Sequence, residues 1–93
     1  MPQALLTILS ERLVRLLKCR ESKSEVPVES GEYMVEDLLL IALGSVCESR
    51  SIPENSDKET FIAVNGRVYY DKKERVKVDG DVRITLFEVG AGG

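Results

Sequence analysis

The 93-residue chain has no histidine and no tryptophan, carries only two cysteines, and is 5% aromatic. Without histidine it lacks the side chain that most often acts as a general base and most often ligates a metal. Cys19 and Cys47 are too few and too far apart for a structural zinc site, which takes four ligands in close pairs. A cysteine nucleophile would have no histidine to activate it. The chain is therefore not expected to be a self-sufficient enzyme, and no metal site is expected. The two cysteines fit either core thiols or a disulfide; buried thiols are the expectation for a cytosolic protein.

Long apolar runs are also missing. None approaches the ~20 residues that span a bilayer. The apolar residues near the N-terminus are soon broken by Glu11, Arg12 and Arg15, unlike a secretory leader. A net charge of −3 is the wrong sign for a nucleic-acid binder. These absences lead to an expected cytoplasmic protein with neither membrane nor nucleic acid as partner. The apolar fraction of 43% and charged fraction of 31% are those of a globular chain. Residues 1–93 read as one domain, able to bury roughly 60–65% of its unfolded surface.

Ala4 to Lys18 has several readings. Leu5, Leu6, Leu9, Leu13, Leu16 and Leu17 fit a helical stripe. Leu6, Ile8 and Leu9 equally fit a first strand, with a short helix from Ser10, and a third option puts the strand at Leu13 to Cys19. After the polar turn Arg20 to Ser24, Val26 and Val28 alternate with polar neighbours and predict a strand over Glu25 to Glu29. Pro27 cannot donate to a ladder, so its amide side is expected at an edge or bulge. Ser30-Gly31 is expected to end that strand.

Val35, Leu38, Leu39, Ala42 and Val46 share one helical face, which predicts a helix over Val35 to Cys47. Glu36 and Asp37 suit its first turn, where the dipole favours negative charge. Leu40, Ile41 and Leu43 widen the apolar surface; they could form a partner-facing patch, but neighbouring segments are expected to cover them. Glu48 to Glu59 reads as a polar loop. Phe61 to Val64 and Val68 to Tyr70 read as strands joined by Asn65-Gly66, a strong hairpin signal because both central positions need positive φ. Asp71 to Lys77 mixes Lys72, Lys73, Arg75 and Lys77 with Asp71 and Glu74, the pattern of a solvated face rather than a phosphate patch.

The C-terminal stretch is the most distinctive. Asp79-Gly80-Asp81 is a turn, followed by a strand with Val82, Ile84 and Leu86 on one face and Arg83, Thr85, Phe87 and Val89 on the other. Gly90-Ala91-Gly92-Gly93 then closes the chain. No helix follows, so this is not a phosphate-binding glycine loop. Such a thread can lie in a narrow channel of a partner that captures its carboxylate. The composition alone fits a frayed end or an expression scar equally well.

Strands, one crossing helix and further strands predict an α+β roll. The order is that of the β-grasp of ubiquitin: a mixed four- to five-stranded sheet with one main helix packed across it. Ala63-Val64-Asn65-Gly66, Asp79-Gly80-Asp81 and Leu86-Phe87-Glu88-Val89-Gly90-Ala91-Gly92-Gly93 resemble the ubiquitin-like sulfur-carrier family (ThiS/MoaD-like). That family includes the thiamine-biosynthesis carrier and the small subunit of molybdopterin synthase. The ending is most similar to the thiamine carrier, as is the helix start Val35-Glu36-Asp37-Leu38-Leu39. The likeness covers about Glu25 to Gly93. Departures are Met34 in place of a capping Thr, one extra residue after Asp81, and Glu88-Val89 where the molybdopterin subunit often has Pro-Pro. The extra residue would be absorbed by a register shift placing Val78 at a buried position. The longer N-terminal part is closer to molybdopterin-type and ubiquitin-related-modifier carriers.

The resemblance implies a chemistry. The Gly93 carboxylate would be adenylated by a ubiquitin-activating-type enzyme that supplies ATP and magnesium. It would then become a thiocarboxylate, with sulfur drawn from a donor such as a cysteine desulfurase. The acceptor would be thiazole synthase, the molybdopterin synthase large subunit or a tRNA-thiolation system. No cofactor would stay bound to the chain. A flexible tail from about residue 88 to 93 would carry Gly93. Phe87, Val89, Gly90, Ala91 and Gly92 would meet the partner, although Phe87 and Val89 equally suit packing against the chain's own neighbours. Two other roles share the architecture: a modifier joined to lysines through Gly93, or a ubiquitin-like interaction module with an inert tail.

Overall fold

A computed structural model of the chain describes residues 1–49 and 58–90. Among the described residues the architecture is α+β, with a mixed five-stranded sheet, a separate two-stranded ribbon and two helices.

The first strand, β1, spans Gln3–Ile8, and helix α1 spans Glu11–Leu16. Of the three readings of this segment, the strand-then-helix one is the fold. Burial along β1 alternates strictly, with Ala4, Leu6 and Ile8 inside. Ser10 then stops the strand and caps the helix, its Oγ accepting from the Leu13 N–H at 3.2 Å. The chain continues through β2 (Lys23–Pro27), β3 (Gly31–Met34), α2 (Val35–Gly44), β4 (Lys58–Val64), β5 (Arg67–Tyr69), β6 (Arg75–Val78) and β7 (Val82–Gly90).

The large sheet runs β2-β1-β7-β4-β5. β1 and β7 are parallel, with Ala4, Leu6 and Ile8 opposite Val82, Ile84 and Leu86. β4 lies antiparallel on the other side of β7, bringing Ile62 to Leu86 and Val64 to Ile84. Both helices cover the face these residues share: Leu13 and Leu17 from the α1 segment, and Val35, Leu38, Leu39, Ala42 and Leu43 from α2, join them in one core. β2 is an edge strand, where Pro27 without an amide proton is tolerated.

Two expectations about α2 are modified. The helix ends at Gly44, not Cys47, although Val46 and Cys47 remain in the core. Leu43 is buried, but Leu40 and Ile41 are not covered and stay 38% and 41% exposed. Met34 makes no side-chain cap. The first helical amides are instead satisfied from a distant loop: Val35 N–H donates to the Glu74 carbonyl and Glu36 N–H to the Lys72 carbonyl, both at 2.9 Å. The charged stretch thus has a backbone role, while residues 71–75 and Lys77 keep their side chains exposed as expected.

The ribbon of β3 and β6 departs from the sequence reading, which ended a strand at Gly31 and left 71–77 as a solvated face. Gly31 lies opposite Val78, and Val76 and Val78 enter the core. Asn65 and Gly66 form the expected hairpin turn with φ of 52° and 84°.

The cysteines differ from the buried-thiol expectation: Cys19 and Cys47 form a disulfide. The pairing is tertiary, because the turns after α1 and α2 meet as a short antiparallel bridge at these two residues. Most of the expected 48–59 loop lies outside the described residues, and Lys58 and Glu59 belong to β4. Among the described residues, no helix is long and apolar enough to cross a membrane.

Candidate functional site at the end of the last strand

β7 occupies the centre of the sheet, and its alternation assigns its side chains to two different surroundings. Val82, Ile84 and Leu86 face the helices and are buried, as expected. Arg83, Thr85, Phe87 and Val89 face outward. Phe87 lies directly opposite Phe61 of β4, with ring centroids 5.6 Å apart and tilted. Phe61 meets the edge of Tyr70 at 5.8 Å. Phe87 and Phe61 are half-buried, whereas Tyr70 is 82% and Val89 49% exposed. The outer face therefore bears an aromatic row that reaches the end of β7. Phe87 packs on its own neighbour, one of the two alternatives read from the sequence.

The opposite face of the strand end is polar and closed. Glu88 follows the inward parity of Leu86 and is only 5% exposed at its side chain. Its carboxylate accepts from Ser10 Oγ at 2.6 Å and from the Arg12 guanidinium. Ser10 is the same residue that caps α1, so one hydroxyl serves the helix start and the strand end together. Leu9 N–H adds a backbone bond to the Leu86 carbonyl at 2.9 Å. The sequence reading took Glu88 as a departure from a family pattern and as the start of a flexible tail, and did not single out Ser10, Arg12, Phe61 or Tyr70 as site residues. The strand pairing that brings them to β7 links positions far apart in the chain, and no local signal encodes it.

β7 keeps its pairing through Gly90, which lies opposite Lys58. The first part of the thread expected from about residue 88 therefore belongs to the sheet up to Gly90. Ala91, Gly92 and Gly93, including the expected reactive carboxylate, lie outside the described residues.

No family model, curated protein or solved structure matches the chain.

The chemistry open to this region follows from its own groups. Among the described residues, no cluster of three or more His, Cys, Asp or Glu side chains could hold a metal ion. The one acidic side chain enclosed at the strand end, Glu88, is occupied by Ser10 and Arg12. What remains outward is apolar contact surface leading toward a glycine-rich end.

Proposed function

We propose that this chain is a ubiquitin-like sulfur carrier of β-grasp type, acting as a substrate protein for a separate adenylating enzyme. The observation that carries the reading is the place of β7. It is the central strand, pairs in parallel with β1, and runs straight toward Gly-Ala-Gly-Gly with no intervening helix or turn through Gly90. The sheet order, the helices on a single face and the buried Val78 support the β-grasp form of the α+β fold.

In this reading the Gly93 carboxylate attacks the α-phosphate of ATP held with magnesium by the partner, and pyrophosphate leaves. Hydrosulfide, released from the donor's persulfide by a thiol reductant that leaves as a disulfide, then attacks the acyl adenylate, AMP leaves, and Gly93 carries a thiocarboxylate. The acceptor belongs to thiamine, molybdopterin or tRNA sulfur chemistry. This chain contributes placement: Phe87 and Val89 give the partner an apolar hold, the Ser10–Glu88–Arg12 cluster fixes the strand end, and glycine lets the thread enter a narrow channel.

The test uses the full chain with each ubiquitin-activating-type enzyme of its source cell, ATP, magnesium and a sulfide donor. Intact mass should rise by one sulfur-for-oxygen exchange, and removal of Gly93 should abolish the rise. No exchange with any such enzyme, or mature protein whose mass places further residues after Gly93, would overturn the reading. Gly-Gly remnants of this chain on cellular lysines would instead reveal a modifier.

A further inference from the structure

We propose that Cys19 and Cys47 form a thiol–disulfide exchange site that small thiols open and close in the folded protein. This inference is independent of the sulfur-carrier reading.

Backbone structure, and not the S–S bond alone, brings the two cysteines together. Helix α1 ends with Lys18 in the left-handed region, φ 55°. Cys19 N–H donates to the Val14 carbonyl and Lys18 N–H to the Arg15 carbonyl, the paired bonds of a Schellman cap. That cap turns Cys19 toward the end of α2, where Cys47 N–H donates to the Leu43 carbonyl. Three further backbone bonds join the two segments: Arg20 N–H to Val46, Glu48 N–H to Lys18 and Ser49 N–H to Leu17. None of them needs the disulfide. Reduction would therefore leave two thiols facing each other across an intact bridge, ready to close again.

The two sulfurs differ in surroundings. Cys47 is 7% exposed, while Cys19 is only partly buried, so an incoming thiolate reaches Cys19 first. Cys47 lines a surface depression with Lys18, Arg20 and Glu48. Two cations against one carboxylate favour an anionic reductant and a departing thiolate there. Arg20 is held in place by its guanidinium, which donates to the Ser45 carbonyl at 2.6 Å.

The exchange balances. A reductant thiolate attacks Sγ of Cys19, the S–S bond breaks, and the electron pair leaves with Sγ of Cys47. A second thiolate attacks the reductant's sulfur in the mixed disulfide and releases Cys19. The protein gains two electrons and two protons, and the reductant leaves as its own disulfide.

The experiment is reduction of the full oxidised chain by glutathione without denaturant, quenched by alkylation and followed by intact mass. Both cysteines should become alkylated at a rate that does not change through low urea, with the circular dichroism of the fold retained. In a Cys47→Ser variant, oxidised glutathione should leave one adduct, mapping to Cys19. Lys18→Gln with Arg20→Gln should slow reduction by glutathione several-fold and by uncharged dithiothreitol much less. Reduction whose rate climbs with urea in step with global unfolding would overturn the proposal and leave a plain structural staple. Failure of the chain to form the disulfide under a glutathione redox buffer would overturn it as well.

Discussion

Asn65 and Arg83 are joined by two hydrogen bonds at the corner where the hairpin meets the last strand. Asn65 N–H donates to the Arg83 carbonyl at 2.8 Å, and Arg83 N–H donates to Asn65 Oδ1 at 2.9 Å. The side chain thus continues the β4–β7 ladder beyond its last backbone pair, while φ of 52° shapes the turn. Asn65→Ala loses the bond and places a less tolerant residue in the left-handed region. The two effects sum to about 2 kcal/mol of lost stability. Asn65→Gly keeps the turn and loses only the bond, costing about 1 kcal/mol. Urea denaturation of both variants checks the ranking.

Glu88 holds the end of β7 to the start of α1. Glu88→Ala leaves the Ser10 hydroxyl and the Arg12 guanidinium without their acceptor and should cost about 2 kcal/mol. The local effect distinguishes this cluster from ordinary packing. Amide exchange at Val89 and Gly90 should quicken in the variant, while Ile84 and Leu86 follow only the global change. A double-mutant cycle with Arg12→Ala should give a coupling of about 1–2 kcal/mol, since the residues touch.

The Cys19–Cys47 link spans a sequence separation of 28, and a crosslink of that span removes enough unfolded-chain entropy to stabilise by about 3.5 kcal/mol. Cys19→Ala with Cys47→Ala should lower stability by that amount and still fold, because the backbone bridge remains. Denaturation midpoints of the double variant and of the oxidised parent make the comparison.

Phe87 is the outward residue whose loss should separate recognition from folding. Phe87→Ser removes its ring from Phe61 and should cost about 1–2 kcal/mol of stability. With the adenylating partner of the proposed function, the same variant should raise KM about tenfold with a smaller change in kcat. Steady-state adenylation measured below the melting transition checks this; an unchanged KM would assign Phe87 to packing alone.

Some elements were legible because their signals are local. The alternation of Val82, Ile84 and Leu86 against Arg83, Thr85 and Phe87 states a strand and its buried face. Asn65-Gly66 states a hairpin because the required φ values suit those two residues. Val35, Leu38, Leu39 and Ala42 state a helix and its inner face. Leu5 to Leu17 was ambiguous for an equally physical reason. Its leucines fit a period of 3.6 while Ala4, Leu6 and Ile8 fit a period of 2, and it is pairing with β2 on one side and β7 on the other that favours the strand over Gln3–Ile8.

The strand end shows the same division. The outward parity of Phe87 and Val89 follows from the alternation itself. That Phe87 meets Phe61, and that Glu88 finds Ser10 and Arg12, depends on register between segments distant in sequence. Likewise Met34 announces a missing cap, but only the folded chain supplies the Lys72 and Glu74 carbonyls that take the place of one.

The sequence by itself determined the local periods, the turns and the inward parity of each strong element, because these depend on neighbouring side chains and backbone angles. The tertiary structure alone decided which strands pair, that the two cysteines join and what holds the strand end. Those choices depend on the summed burial of distant apolar faces, and no short window of residues contains that sum.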